Sequence, residues 1–297
     1  FGKNRITNIP KKGIFAKLFD EMVKLLRQFR CGLLYKSRRS FHMKLNELQI
    51  VGRRCRMFNF DEYMVVFPNA KINIGLFVTG KRPDGFHNLE TVFYPIELRD
   101  ILEITEIKGE RGSCVFTSTG IPIDCPPEKN LVSKAYAILA DEFDLPSVDV
   151  HLHKMIPYGA GLGGGSADAA FMLVGLNQLF SLGLNEERLT GYAARVGSDC
   201  PFFVLNRPVF AFGKGELMET IDVSLRGYHV VLVKPDRGVA TPEAYRGITP
   251  RAASFDLREL GKLPVEQWNG VVVNDFEDSV IPKVPEIQEI KHTLREL

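Results

Sequence analysis

The chain has 297 residues, 45% hydrophobic and 25% charged, with 26 Gly and 17 Pro, an ordinary globular composition that gives no support to a disordered or collagen-like chain. Its five cysteines, Cys31, Cys55, Cys114, Cys125 and Cys200, form no Cys-x-x-Cys pair and are odd in number; this argues against a disulfide framework or zinc ribbon and for a reducing, cytoplasmic compartment. No run approaches the roughly 18 consecutive apolar residues of a spanning helix, so a soluble protein with no membrane partner is expected.

The net charge of +2 conceals a split. Residues 1–63 carry 15 Lys and Arg against 5 Asp and Glu, and residues 64–297 carry 23 against 31. The basic segment holds two amphipathic stretches, 14–29 and about 41–51, between clusters such as Lys36-Ser37-Arg38-Arg39 and Arg53-Arg54-Cys55-Arg56. Three readings are open for it: a nucleic-acid or membrane-surface segment, an organelle-targeting peptide, or sequence outside the working fold. Scarcity of acids suits targeting, but the segment is not Ser-rich and opens on Phe1. The third reading is preferred, with no nucleic-acid partner, and Met64 is the expected start of the fold.

From Met64 onward the pattern is dense, with no internal repeat or low-complexity linker. Ile72, Ile74, Leu76 and Val78 alternate with Lys71, Asn73, Gly75 and Phe77, the period of a half-buried strand, which puts Lys71 and Asn73 on one face. Further strands are predicted at 89–94, 102–107 and 113–117, then a helix at 130–140 and a strand at 148–152. After a glycine cluster come helices at 166–180 and 186–196, short strands at 202–205, 209–212 and 229–234, and a helix from 285 to 297. Strands lead and helices follow, so the fold class is α+β rather than a regular βαβ array.

The strongest local signal is Pro157-Tyr158-Gly159-Ala160-Gly161-Leu162-Gly163-Gly164-Gly165-Ser166-Ala167-Asp168. Glycines at this density let the backbone approach a ligand with its N–H groups turned inward, and Ser166 is placed to cap the helix that follows, whose N-terminus carries partial positive charge. The pattern reads as a phosphate cradle; a simple tight turn is the plainer alternative, but it rarely needs five glycines. Gly159, Gly161 and Gly164 also satisfy G-x-G-x-x-G, yet a dinucleotide fold requires a second parallel strand where 184–196 reads as another helix. No Gly-Lys-Ser/Thr follows, which removes a Walker loop.

Three further stretches accompany this loop: Pro68-Asn69-Ala70-Lys71-Ile72-Asn73-Ile74-Gly75-Leu76, Arg82-Pro83-Asp84-Gly85-Phe86-His87-Asn88-Leu89-Glu90-Thr91, and Gly197-Ser198-Asp199-Cys200-Pro201-Phe202-Phe203. In this order they resemble the 4-diphosphocytidyl-2-C-methyl-D-erythritol kinase family of the GHMP small-molecule kinases, over Met64 to Leu297. The glycine loop alone points to the superfamily; Asp84-Gly85-Phe86-His87 points to this member. The resemblance implies a two-domain GHMP kinase fold with the active site in the interdomain cleft: an ATP-binding domain at 64–225 and a C-terminal domain at 226–297, with 1–63 outside both. A third glycine-rich motif that the family carries near its C-terminus has no counterpart in the chain, so the C-terminal domain is expected to be incomplete.

The implied activity is ATP-dependent phosphorylation of the 2-hydroxyl of a cytidine-diphosphate-linked methylerythritol, with magnesium, in non-mevalonate isoprenoid synthesis. Phosphoryl transfer to an alcohol needs the triphosphate held, its charge neutralised and the hydroxyl oriented. By resemblance Asp199 is the base, on a short turn before Pro201, and Lys71 assists it. Asn73 and Thr241 contact the acceptor, Phe86 and Tyr245 sandwich the cytosine, and His87 reads its edge. ATP falls to Asn130, Leu131, Lys154, Pro157, Gly159, Gly161, Leu162, Gly163, Gly164, Gly165, Ser166 and Ala167, with Ser166 also a candidate magnesium contact. Two rivals stand beside this reading: a catalytically dead nucleotide- or RNA-binding protein, and a GHMP kinase for a sugar, mevalonate or homoserine. Retention of Lys71, Asp199 and Ser166 argues against the first, and Phe86, His87 and Tyr245 against the second.

Overall fold

The structure, a computed structural model, describes residues 57–60, 63–108 and 111–296. These belong to one unit, Cys55–Leu297; the amphipathic stretches at 14–29 and 41–51 and both basic clusters lie outside the described residues. In chain order the strands β1 (Met57–Phe60), β2 (Tyr63–Val66), β3 (Asn69–Lys81), β4 (His87–Arg99), β5 (Ile101–Glu106) and β6 (Cys114–Gly120) come first. They are followed by α1 (Leu131–Phe143), β7 (Val148–Lys154), α2 (Gly164–Leu179), α3 (Glu186–Val196), α4 (Cys200–Leu205), β8 (Val209–Phe212) and β9 (Leu217–Thr220). Short helices α5 (Thr241–Arg246), α6 (Glu277–Val280) and α7 (Glu286–Glu296) punctuate the remainder.

One sheet runs β1-β2-β5-β7-β6, antiparallel except for the β6–β7 pair, and the other runs β3-β4-β8-β9, antiparallel throughout. The α+β class expected from the sequence is the observed one. Phe60 stands opposite Tyr63 in the β1–β2 ladder, so the first sheet reaches back past Met64, the expected start, because Met57–Phe60 is itself a strand-type apolar run.

Alternation explains the larger core. Val148, Val150 and Leu152 of β7 point inward and meet Leu102 and Ile104 of β5, and α1, α2, α3 and α4 close over them. Helix α2 is buried on nearly every side, from Ala167 to Leu176, which its small residues permit: a Cβ at Gly175 would lie 2.6 Å from Ile104 Cδ1. A second cluster joins Ile74 and Phe77 of β3, Val92 of β4 and Phe210 of β8 to Val223, Leu257 and Leu260. The expected domain boundary near residue 225 falls inside this cluster, where Leu225 packs and its N–H donates to Tyr94 Oη at 2.9 Å.

Two expected strands are absent. Residues 202–205 lie in α4, whose start is set by Pro201 in the first turn; an apolar run this short carries no period that separates strand from helix. Residues 229–234 have no regular structure, and Val230, Val231, Leu232 and Val233 are exposed. A run of β-branched and apolar residues becomes a strand only against a hydrogen-bonding neighbour, and among the described residues none pairs with this segment.

One glycine fixes how β6 ends against β7. Gly120 has φ +82°, and a Cβ there would sit 2.2 Å from the carbonyl oxygen of Lys154, the atom that accepts the Ile121 N–H at 2.9 Å. Gly120→Ala should therefore destabilise by about 2–4 kcal/mol through backbone strain and overpacking together, a drop of roughly 5–15 °C in Tm by thermal melting; a change under about 2 °C would show that the β6–β7 junction gives freely.

Candidate active site

The glycine loop begins where β7 ends and closes on the N-terminus of α2. Gly159, Gly161 and Gly163 take φ of 67°, 71° and 70°, a left-handed conformation at every second residue that side chains other than glycine rarely accept. Gly163 is the helix cap and makes no side-chain cap hydrogen bond. The expectation that Ser166 caps α2 is thus corrected: the positive φ of Gly163 starts the helix earlier and leaves Ser166 inside its first turn. The Ser166 side chain hydrogen-bonds Cys200, whose thiol burial pushes up to about 11.

Leu131, Lys154 and residues 157–166 line a cavity of about 240 Å³ at this helix end. A Cβ at Gly159 or Gly161 would meet nothing within 4 Å, whereas one at Gly163 would strike Phe203 Cζ at 2.6 Å and one at Gly164 would reach Lys154 Nζ at 2.9 Å. The middle of the loop is open to a ligand, and its C-terminal end is pressed against protein. Ala167 is fully buried in the helix core, away from the cavity. Asn130 caps α1, accepting the Val132 N–H at 2.9 Å.

Lys154 is buried and committed. Its ammonium donates to Asp100 Oδ2 at 2.5 Å and to Asp168 Oδ2 at 2.7 Å, and Asp100 Oδ1 accepts the N–H groups of Met155 (2.5 Å) and Ile156 (2.8 Å). All three side chains are almost fully shielded from solvent. The cluster joins β7 and the first loop residues to the second turn of α2, so it fixes both ends of the loop. One ammonium faces two carboxylates, and Asp168 Oδ1 has no hydrogen-bond partner. Burial, reinforced by Asp100, holds the Asp168 carboxyl well above the usual carboxylate range against the opposing pull of Lys154.

Beside the loop, the Lys71 N–H donates to Leu162 O at 2.9 Å, and its buried side chain runs past Gly163 to the Asn73 carbonyl oxygen, Nζ–Oδ1 2.6 Å. Asn73 in turn donates to Thr91 Oγ1 at 2.9 Å, and Thr91 donates to Gly75 O at 2.6 Å. Lys71 Nζ also stands 4.8 Å from the Phe93 ring centroid. Burial lowers the Lys71 pKa and the Asp199 charge pulls it back up. Burial and the same Asp199 charge raise the Tyr245 phenol. Asp199 is half-buried at the start of α4 and makes no side-chain cap bond there.

A second cavity, about 520 Å³, is lined by Phe86, His87, Thr241 and Tyr245 together with Lys81, Lys214 and Arg246. Phe86 and Tyr245, expected to sandwich the cytosine, both line this cavity; His87 stacks on Tyr245, centroids 5.0 Å apart and planes 15° apart, while Phe86 is 59% exposed beneath the Lys214 ammonium. Neighbouring residues in sequence need not share a ring partner, and His87 begins β4 whereas Phe86 still belongs to the turn.

Residues 130–207 match the GHMP kinases N terminal domain. The chain is 54% identical over 233 residues, 78% of its length and 84% of the relative's, to 4-diphosphocytidyl-2-C-methyl-D-erythritol kinase of Parabacteroides distasonis. It is likewise 54% identical to that of Bacteroides fragilis, over 78% of the chain and 84% of the relative. The chain belongs to the 4-diphosphocytidyl-2-C-methyl-D-erythritol kinase family. A crystal structure of 4-(cytidine 5'-diphospho)-2C-methyl-D-erythritol kinase superposes with a TM-score of 0.63 at 28% identity, covering 78% of this chain and 83% of that one. The fold is that of a GHMP kinase, and membership makes the chain a small-molecule kinase that uses ATP. Among the described residues no helix is long and apolar enough to cross a membrane.

For this kinase, sequence reasoning missed Asp100, Thr91 and Lys214. Asp100 carries no motif: it is one acid between two strands, and only the tertiary fold brings it to Lys154. Asp168 stands in the quoted loop, but its burial is invisible without the α2 packing. Lys154→Met should destabilise by about 3–5 kcal/mol, since it leaves two buried carboxylates facing each other. Asp168→Asn should change stability far less near neutrality. The folded-state pKa of Asp168 is raised, so its contribution is complete below the ordinary value of about 4 and is lost as pH rises through the folded value. The Tm of Asp168→Asn relative to the native chain should therefore climb as pH increases from about 4; a difference independent of pH would mean Asp168 is ionised throughout.

Proposed function

We propose that the chain transfers the γ-phosphoryl group of ATP to the 2-hydroxyl of 4-diphosphocytidyl-2-C-methyl-D-erythritol in the cytoplasm, as a step of isoprenoid precursor synthesis. The observation that carries this reading is the placement of Lys71: its N–H donates to Leu162 O of the glycine loop at 2.9 Å and its ammonium to Asn73 Oδ1 at 2.6 Å, and the Asp199 charge acts on it and on Tyr245 in the larger cavity. A carboxylate that touches both ligand compartments electrostatically suits a group that receives a proton from an acceptor hydroxyl while a phosphoryl group arrives from the other side.

The triphosphate fits the loop on the chemistry of its donors. Backbone N–H groups at the start of a sixteen-residue helix and open space above Gly159 and Gly161 make an anion cradle that needs no fixed cation. Magnesium, when bound with the triphosphate, would neutralise charge on the transferring group; among the described residues no cluster of three His, Cys, Asp or Glu side chains forms a metal cage, which suits an ion held mainly by phosphate oxygens, with the Ser166 hydroxyl at hand. Lys71 is desolvated, so its ammonium interacts strongly with developing charge and with Asp199. Asn73 accepts from Lys71 and so orients it. Leu131 and the loop residues contact ATP in this reading; Lys154 supports the loop from below.

The cytidine diphosphate end of the acceptor occupies the larger cavity, against Phe86 and the His87–Tyr245 stack, with Thr241 alongside. Asp199→Asn should lower kcat by about 10²–10⁴-fold, and Lys71→Ala comparably, with nucleotide binding nearly unchanged. Phe86→Ala should raise KM for the cytidylylated acceptor by roughly tenfold while sparing ATP, and a uridine analogue should be a poor acceptor. The check is an ATP-consumption assay with the cytidylylated and uridylylated acceptors; equal kcat/KM for the two bases, or full turnover by Asp199→Asn, would defeat the assignment.

A further inference from the structure

The larger cavity has a charge pattern that the base-stacking residues do not use. Three cations line it and no carboxylate does among the described residues. They come from separate parts of the chain: Lys81 ends β3, Lys214 lies in the β8–β9 turn, and Arg246 ends α5. The Lys214 turn is held in place by the Leu89 N–H, which donates to Gly213 O at 2.8 Å.

Nearby acids make their closest contacts elsewhere. Asp84 pairs with Arg82 at 3.2 Å and accepts the Phe86 N–H at 3.1 Å, and the Lys214 charge reaches it without an ion-pair contact. Glu216 turns back to the Lys214 backbone N–H, and Glu243 pairs with Lys283 at 3.2 Å. Among the described residues Lys81, Lys214 and Arg246 form no ion pair. Three like charges converging on one concavity repel one another, and an anionic ligand relieves that repulsion. The Lys214 ammonium stands 5.0 Å from the Phe86 ring centroid, so one aromatic face and one cation form a unit that suits a base with its phosphates attached.

We propose that Lys81 and Lys214, with Arg246 of α5, form a diphosphate subsite, so that the acceptor is recognised through its two bridging phosphates as well as through its base. The inference rests on the functional reading above and deepens it by adding specificity-determining residues. The phosphates it binds stay attached to the acceptor through the reaction, so the subsite acts on binding and adds no bond-making step.

Calorimetric titration of the full chain with CDP, CMP, cytidine and UDP tests it, with a non-hydrolysable ATP analogue saturating the glycine loop. CDP should bind at least about tenfold tighter than cytidine at low salt, with CMP between them and the advantage shrinking as salt rises. In Lys81→Met/Lys214→Met that advantage should fall to within about threefold, while cytidine affinity and ATP-analogue affinity stay within about twofold. Single Lys214→Met, checked by thermal melting, guards against a folding defect and should give an intermediate ratio. A CDP-to-cytidine ratio unchanged in the double variant overturns the subsite. Equal affinity for CDP and UDP, with the ratio still dependent on the lysines, removes the cytosine assignment and keeps the subsite. Failure of CDP to bind the native chain removes both.

Discussion

One ammonium, that of Lys154, decides whether the glycine loop has a shape at all. A run with glycine at 159, 161, 163, 164 and 165 has large conformational freedom when unrestrained, and nothing within the loop restrains it. The constraint comes from beneath. Asp100 binds both the side chain of Lys154 and the next two backbone N–H groups, while Asp168 reaches Lys154 from α2. Ile156 is fully buried, and Gly163 has no space for a Cβ against Phe203. Both ends are therefore fixed and only the centre around Gly159 and Gly161 faces open space. This is preorganisation of backbone donors by a buried ionic clamp, and it explains why a fully buried lysine stays where a hydrophobic residue would pack more cheaply.

Strand β3 turns that rigid loop into part of a site. Its Lys71 N–H is bonded to the loop carbonyl of Leu162, and its side chain starts a polar chain through Asn73 and Thr91 to Gly75 O. Each buried polar atom along this chain has a named partner, so the Lys71 ammonium is held at one place while remaining desolvated. The register shifts between Asn69 and Lys71 and between Ile74 and Leu76 allow this: an uninterrupted pleat would carry the inward set past the loop, and bulges redirect it. The opposite end of β3 serves the second cavity, where Lys81 lies across from His87. A single long strand thus spans the distance between the two ligand compartments.

Motif and period made the local parts legible. Alternation at Ile72–Val78 and at Val148–Leu152 located strands, and glycine density located the loop between β7 and α2, because these depend on neighbouring residues alone. The family resemblance then brought Phe86, His87, Thr241 and Tyr245 together, and they do line one cavity. What escaped depends on contacts distant in the sequence. Asp100 becomes a clamp only when the β4–β5 corner folds under Lys154. Phe202 and Phe203 read as strand until Pro201 and the aromatic contact with Phe93 make them helix. The Val230–Val233 run had strand-type composition and no neighbour among the described residues to pair with, and Ser166 lost the cap to Gly163, whose positive φ starts the helix three residues earlier.

The two cavities divide the electrostatic work in a way that suits phosphoryl transfer. The loop cavity offers backbone dipoles and a helix N-terminus, with its one lysine, Lys154, already paired with Asp100 and hydrogen-bonded to Asp168. The other cavity offers three cations that form no ion pair among the described residues. A fixed cation gripping the donor phosphates equally before and during transfer would deepen the ground state as much as the transition state and would not speed the reaction. Cations gripping phosphates that take no part in bond making carry no such drawback, since their effect falls on acceptor binding. Lys71 is the exception. It lies against the loop, it is desolvated, and its pKa answers to Asp199; in the proposed reaction its charge acts where negative charge moves between the transferring group and Asp199.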